Sequence, residues 1–351
     1  IILAVSTLIG TIIGAGIFGI PYVIMKSGFT IGIIHIIIIA ILTTIITLYL
    51  GEIALRTKEN YQLTGYAKKY LGNKGKFFMM LSLMFGIYAA ELAYMIGVSE
   101  SLSFLLFETT RYSLFIGILF WLFMSMIIAL GIKALQAGEF LGTVILLILI
   151  ICMTVFFVNK IDISNITYQP ILNFKDYFIP FGVILFAFLG YTTIPEVESI
   201  LGKNKKDMKN AIIIAAIIST IVYILFSIIV IGLKGQATPA IATIALGKPF
   251  IFMGILTMLT SYLALGIALI DMFKFDYHQS KLKALFFTSS VPLILFIIMQ
   301  LTKTANFTKV LGIGGVISGG LTSILIIFMA KNAKFLGDRI PEYSIPTHKL
   351  L

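Results

Sequence analysis

The chain is short of nearly everything a soluble enzyme relies on. Its 351 residues include one cysteine, three histidines, one tryptophan and nine prolines, and only 12% of them are charged. The lone cysteine, Cys152, lies in an apolar run, so a disulfide framework is excluded. His35, His278 and His348 stand far apart and form no metal-ligand spacing, and neither H-E-x-x-H nor G-x-G-D occurs. An intramembrane enzyme therefore lacks its catalytic groups, and no cofactor is implied. No basic segment precedes the opening apolar run, which argues against a cleavable signal peptide. The first residue is Ile1, so we expect a short native N-terminus to precede it, and the polar end from Lys331 suggests that a further span follows.

What the chain has is hydrocarbon. Hydrophobic residues make up 59% of it, more apolar surface than a soluble domain can hide. Ten apolar windows predict spans near Ile1–Met25, Ile31–Leu50, Phe77–Leu106, Leu114–Leu130, Phe140–Val158, Tyr177–Leu201, Ala211–Leu233, Phe250–Met272, Ala284–Leu301 and Val310–Ala330. Such long continuous runs are helices, not barrel strands, because the backbone must satisfy itself in lipid. The expected fold class is an all-α membrane protein, a single transmembrane domain over 1–351 embedded in the bilayer.

The net charge of +11 fits loops that fix orientation better than nucleic-acid binding. With the chain start inside, the inner loops hold Arg56, Lys58, Lys68, Lys69, Lys74 and Lys76, then Lys133, then Lys203, Lys205, Lys206 and Lys209. Lys274, Lys281, Lys283, Lys331, Lys334, Arg339 and Lys349 follow, which leaves only eight basic residues outside. The asymmetry predicts a cell-membrane protein with a cytoplasmic N-terminus. The long connection around GYAKKYLGNKGK reads as an interfacial helix or a solvated link.

Two spans contain their own helix breakers. The first reads GTIIGAGIFGIPYV, and the sixth carries FAFLGYTTIPE; both share G-x-x-x-I-P, from Gly16 to Pro21 and from Gly190 to Pro195. Glycines also serve close helix packing, and Gly10, Gly14, Gly16 and Gly19 alone leave both readings open. The prolines favour a break, because each removes a backbone donor. Freed backbone groups in lipid cost several kcal/mol each unless something satisfies them. These are the first helices of two sets of five, 1–158 and 177–330, which enter the membrane from opposite sides. That is the plan of inverted-repeat transporters, whose discontinuous helices hold substrate at mid-depth.

GTIIGAGIFGIPYV, FAFLGYTTIPE and LTSYLALGIALIDMFKFDY resemble the first, sixth and eighth helices of the amino acid–polyamine–organocation superfamily, its amino acid/auxin and tryptophan/tyrosine permeases in particular. The resemblance implies a LeuT-like fold of two inverted five-helix repeats with discontinuous first and sixth helices, and sodium- or proton-coupled symport of an amino acid by alternating access. It implies that amides at Gly14, Ala15, Gly16 and Ile17 hold the substrate carboxylate, and that carbonyls near Ile12, Phe186 and Leu189 accept its ammonium. Phe18, Phe186, Phe188 and Tyr191, with Gly190 giving access to the backbone, would shape the side-chain pocket for a neutral or aromatic substrate. Such permeases usually carry at least one span beyond these ten.

For the coupling ion, Thr257, Thr260 and Ser261 fall on one face of the eighth span at i, i+3 and i+4. By the resemblance, a sodium ion would be held by the hydroxyls of Thr260 and Ser261 and the carbonyls of Thr257, Gly10 and Ile13. Serine and threonine in such helices also bond back to the preceding turn, and both readings stand. The fifth span lacks the lysine that some proton-coupled relatives use. Glu91 is the deepest carboxylate, a candidate proton carrier or partner of the substrate ammonium. His35 suits packing or an interface, and Glu52, Glu196, Glu198 and Asp271 fall near inner helix ends, where gate pairs with lysine or arginine are expected. A non-transporting amino acid sensor could keep the same pocket; a channel would need a more continuous polar lining.

Overall fold

The computed structural model describes residues 1–130, 138–171, 173–275 and 279–346. Lys133, His278, His348 and Lys349 lie outside the described residues. Every expected span is helical. In chain order the α-helices are α1 (Ile2–Ile12), α2 (Ile20–Ser27), α3 (Phe29–Arg56), α4 (Leu63–Phe107), α5 (Ser113–Leu130), α6 (Gly138–Phe157) and α7 (Ile163–Thr167). Then come α8 (Ile179–Ala187), α9 (Ile194–Leu201), α10 (Met208–Lys234), α11 (Lys248–Phe275), α12 (Lys281–Leu301), α13 (Phe307–Gly314) and α14 (Gly320–Leu336). The face where the chain starts, which also carries residues 57–62, is called proximal below, and the other distal.

The helices stay straight or break according to their composition. α3 leaves Ile34, Ile37, Ile38, Ile41 and Leu42 exposed along one stripe, the side a lipid-facing helix presents. Its other side buries Ile36, Ile39, Leu50 and Ile53. The third span begins earlier than its apolar run. α4 starts at Leu63 rather than near Phe77, because the GYAKKYLGNKGK connection is itself helical and is joined to the span by a kink at Gly72 (φ 73°, ψ −165°). Only glycine adopts that backbone without strain. The tenth span holds a π-turn, Gly315–Gly319, between α13 and α14. Its glycines let backbones touch: a Cβ at Gly315 would stand 2.1 Å from the Gly182 carbonyl oxygen of α8.

Two nearly buried carboxylates organise the proximal face. Glu52, 2% exposed, pairs with Arg56 one turn on at 2.8 Å and accepts from the Ser344 hydroxyl and the Ile345 amide. Residues 337–346 thus fold back along α3, where Tyr343 donates its hydroxyl to the Leu48 carbonyl at 2.8 Å. Asp338 joins the same strap to α4, bonding the Lys69 ammonium and the Lys58 amide. Glu198, 1% exposed, pairs with Lys205 and lies 3.4 Å from the Tyr66 hydroxyl of α4. The gate-pair expectation thus meets partners at Glu52 and Glu198, whereas Glu196 is exposed.

Candidate functional site

The first and sixth spans are both interrupted, at the places their glycines and prolines mark. α1 ends in a three-residue turn in which the Gly14 amide donates to the Ile12 carbonyl at 2.9 Å, with Ile13 between them at φ −85°, ψ 64°. This is an inverse γ-turn. A 3-10 turn, Ala15–Gly19, follows and runs into α2, whose second residue is Pro21. The two halves are bent by 43°. In the sixth span the Gly190 amide donates to the Phe188 carbonyl at 2.8 Å. A 3-10 turn, Tyr191–Thr193, then leads into α9 with Pro195 second. Proline suits that position, since the first turn of a helix has no acceptor for its amide.

Each interruption leaves the same kinds of backbone group without a helical partner. The amides opening a 3-10 turn, here Ala15 and Gly16, precede the first residue that can bond backward; the first such bond runs from the Ile17 amide to the Gly14 carbonyl at 3.4 Å. The carbonyls closing α1 and α8 lose the amides that a continuous helix would offer them. The helix dipole gives the first set partial positive and the second partial negative charge.

The two interruptions lie against each other. A Cβ on Gly16 would sit 3.0 Å from the Ala187 Cα, and one on Gly190 would sit 2.4 Å from Ile12 Cγ1. The hydroxyls of Thr11 and Thr193 meet at 2.7 Å. At the crossing stands Tyr223 of α10, fully buried, its hydroxyl 2.6 Å from the Ile12 carbonyl and 2.8 Å from that of Ala187. The Phe188 ring packs edge-on against it at 4.9 Å. Sequence reasoning missed Tyr223. A signal was present: Ser219, Tyr223 and Ser227 repeat every four residues in an otherwise apolar helix, and all three are buried.

A cavity of about 180 Å³ opens beside this crossing. One water needs roughly 10–15 Å³ of such space, so the volume holds on the order of a dozen non-hydrogen atoms. Of the residues singled out in the sequence, Gly10, Ile12, Gly14, Gly16, Phe186, Leu189, Tyr191 and Ser261 line it, and Leu83, Gly86, Ile87, Ala90 and Tyr94 of α4 form the facing wall. Among the described residues no charged side chain lines it; its polar groups are backbone and the side chains of Thr11, Tyr94, Tyr191, Thr192, Ser261 and Ser318. Thr11 and Thr192, on the proximal side of the breaks, are exposed, whereas Ala15 to Pro21 are all buried. The cavity therefore opens toward the proximal face.

The remaining expected residues lie elsewhere. Ile17 and Phe18 face a separate gap of about 20 Å³ against Phe226 and Phe250, and Ala15 is buried. Thr257 donates its hydroxyl to the Met253 carbonyl and Thr260 to the Thr257 carbonyl, both at 3.0 Å. Ser261 alone of the three lines the cavity, with Gly10 opposite, while Ile13 is buried. A hydroxyl that donates its proton still keeps lone pairs that can accept. Glu91 is wholly buried, and among the described residues neither of its oxygens has a hydrogen-bond partner. It lies on the α11 side of α4, beside Gly266, and outside the cavity wall. His35 bonds the Ile31 carbonyl one turn back in its own helix.

Comparison with known proteins agrees with this geometry. A profile of the tryptophan/tyrosine permease family matches residues 1–246. Glutamine transporter 2 of Aliivibrio fischeri (strain ATCC 700601 / ES114) is 22% identical over 327 residues, covering 88% of this chain and 82% of that protein. Among solved structures, MhsT in complex with L-phenylalanine superposes with a TM-score of 0.64 at 14% identity, covering 96% of this chain and 92% of that one. Mhp1, a nucleobase-cation-symport-1 family transporter in a closed conformation with bromovinylhydantoin bound, gives 0.60 at 14% identity, over 92% and 76%. The fold is thus the LeuT-like one, two inverted five-helix repeats with discontinuous first and sixth helices. This multi-pass membrane protein is a transporter of amino acids and not an enzyme, and it belongs to the tryptophan/tyrosine permease family.

Proposed function

We propose that this chain is a cation-coupled symporter of neutral amino acids, aromatic ones foremost, working by alternating access between repeats that span 1–158 and 177–330. The observation that carries the reading is the pairing of two interrupted helices at a cavity whose described walls hold no charged side chain. A zwitterion there meets amide and carbonyl dipoles in place of salt bridges, and a substrate with a charged side chain would bury that charge unpaired, at a cost of several kcal/mol.

In this reading the amides of Ala15 and Gly16, which open the 3-10 turn, take the carboxylate, since those of Gly14 and Ile17 already donate to the Ile12 and Gly14 carbonyls. Carbonyls near Ile12, Phe186 and Leu189 take the ammonium. Phe186 and Tyr191 shape the side-chain space from the cavity wall, whereas Phe188 packs on Tyr223 and Phe18 on Phe226, outside that wall. The L-phenylalanine bound in MhsT and the glutamine named for the Aliivibrio protein are both neutral zwitterions, which supports the substrate class. The excess of lysine and arginine in the proximal loops supports a cell-membrane location with the proximal face cytoplasmic.

The coupling ion is sodium at Gly10, Ile13, Thr257, Thr260 and Ser261, or a proton carried by Glu91. One monovalent cation gains about 2.3 kcal/mol per 100 mV and about 1.4 kcal/mol per tenfold gradient. Together these support roughly several hundredfold accumulation, so a single ion suffices.

Uptake of radiolabelled tryptophan, tyrosine, phenylalanine, glutamine and lysine into proteoliposomes, with sodium and proton gradients imposed separately, tests the proposal. We expect concentrative uptake of the neutral substrates, not of lysine, driven by one of the two gradients. Sodium dependence that Ser261→Ala weakens about tenfold supports the hydroxyl site; proton dependence abolished by Glu91→Gln supports the carboxylate. Binding without uptake under either gradient would identify a sensor, and flux that dissipates but never exceeds the imposed gradient would identify a channel.

A further inference from the structure

The Tyr223 hydroxyl serves two acceptors with one hydrogen. A phenol donates once, yet the Ile12 and Ala187 carbonyls lie 2.6 and 2.8 Å from its oxygen. They close α1 and α8, the half-helices whose negative dipole ends converge here, and both residues line the cavity. A continuous helix would give Ile12 the Gly16 amide and Ala187 the Tyr191 amide; the interruptions remove both. The tight turn returns only the Gly14 amide to Ile12. At zero exposure Tyr223 finds no water to share the task.

We infer that Tyr223 is a positioning residue that stands in for the substrate ammonium: it holds the two carbonyls while the site is empty and yields to the ammonium when substrate arrives. The inference rests on the amino acid reading of the cavity. An ammonium brings three donors, enough to partner both carbonyls at once. The phenol thus stabilises the empty carrier, the state that must reorient to complete a transport cycle, and keeps the site from gripping its cargo too tightly.

Removing the hydroxyl has consequences that loss of packing does not. Tyr223→Phe takes the phenol from the Ala187 carbonyl and leaves the Ile12 carbonyl with the Gly14 amide alone, so we expect L-tryptophan to bind about tenfold tighter. Indole-3-propionate, which lacks the amine, should bind as it does to the unaltered protein. Net uptake of L-tryptophan should fall about tenfold, because the empty carrier is now the strained species. Exchange of internal for external L-tryptophan, which never passes through an empty reorientation, should fall less than net uptake.

The measurement is a pair of affinities and a pair of fluxes on purified protein in proteoliposomes. Should Tyr223→Phe not fold, Tyr223→Met, which has no donor, is compared with Tyr223→Gln, which keeps an N–H. The amine preference should rise in the first and stay within about twofold of the unaltered protein in the second. Weaker binding of both ligands, or net uptake and exchange falling together, would overturn the inference by showing that the side chain only packs. Absence of L-tryptophan binding and uptake in the unaltered protein would instead sink the underlying substrate reading.

Discussion

The interruptions in the first and sixth spans use the same parts in different proportions. Each begins with a turn closed by a glycine amide, at Gly14 and at Gly190, and each ends in an Ile-Pro pair that opens a new helix. Between these landmarks the first has a five-residue 3-10 turn and the sixth a three-residue one. The shared motif G-x-x-x-I-P aligns Gly16 with Gly190, but in turn geometry the counterpart of Gly190 is Gly14. The two extra residues are absorbed by the longer turn. The first span bends by 43° between its halves, while the sixth holds Phe188 and Gly190 near the bridge region (φ −91°, ψ 5° and φ −99°, ψ −1°).

The difference assigns the glycines separate duties. Gly16 faces backbone, with the Ala187 Cα 3.0 Å from where its Cβ would be, and backbone cannot rotate away. Gly16→Val is therefore expected to abolish L-tryptophan binding, by 100-fold or more, in an equilibrium binding assay. Binding within tenfold of the unaltered protein would mean the spans do not meet at this point. Gly190 faces the Ile12 side chain at 2.4 Å, which can be trimmed. Gly190→Ala should weaken binding about tenfold, and adding Ile12→Ala should restore most of it; failure of that rescue would break the proposed contact.

Gly14 is the turn glycine with room around it. Its φ of −91° is open to any residue, and the nearest atom to an added Cβ is 3.9 Å away. Gly14→Ala should change affinity by about twofold at most, although in turn geometry Gly14 is the counterpart of Gly190. If Gly14→Ala were as damaging as Gly16→Val, a substrate group must approach the Gly14 Cα itself.

The smallest effect concerns α3, which packs along both halves of the sixth span and is pinned from outside by the strap 337–346. The Lys69 ammonium and, after it, the Lys58 amide hold the Asp338 carboxyl below the usual carboxylate range. A depressed carboxyl contributes docking that is complete above its ordinary pKa of about 4 and lost as pH falls through the lower folded value. Hydrogen exchange at residues 338–346 should accelerate with Asp338→Asn at neutral pH, or with acid in the unaltered chain, while L-tryptophan affinity changes less than twofold. Equal exchange in both proteins would show that the apolar contacts and Glu52 hold the strap alone.

How much of this could be read beforehand depended on how local each signal was. Breakers inside apolar runs announce themselves, so both interruptions were legible from Gly16, Pro21, Gly190 and Pro195. The helical spans followed from hydropathy, while the lysine-rich GYAKKYLGNKGK left a helix and a solvated link both open, and the stretch is helical. The kink at Gly72 and the π-turn at Gly315–Gly319 were not expected, since a glycine in a helix does not state whether it bends, packs or bulges. Tyr223 was the larger omission. Its role depends on two carbonyls from segments 175 residues apart in sequence (Ile12 and Ala187), which no local pattern encodes. The hydroxyls of Thr257 and Thr260 matched the expected spacing but bond within their own helix, so spacing alone did not decide their use.

The most direct test of the account is to ask which end of the ligand each interruption holds. Equilibrium binding of L-tryptophan is compared with that of tryptamine, which lacks the carboxylate, and indole-3-propionate, which lacks the amine. If the amides after Gly14 and the carbonyls of Ile12 and its neighbours grip a zwitterion, both analogues bind at least 100-fold more weakly than L-tryptophan. Either analogue binding as tightly as the amino acid would contradict a site built from the two broken helices.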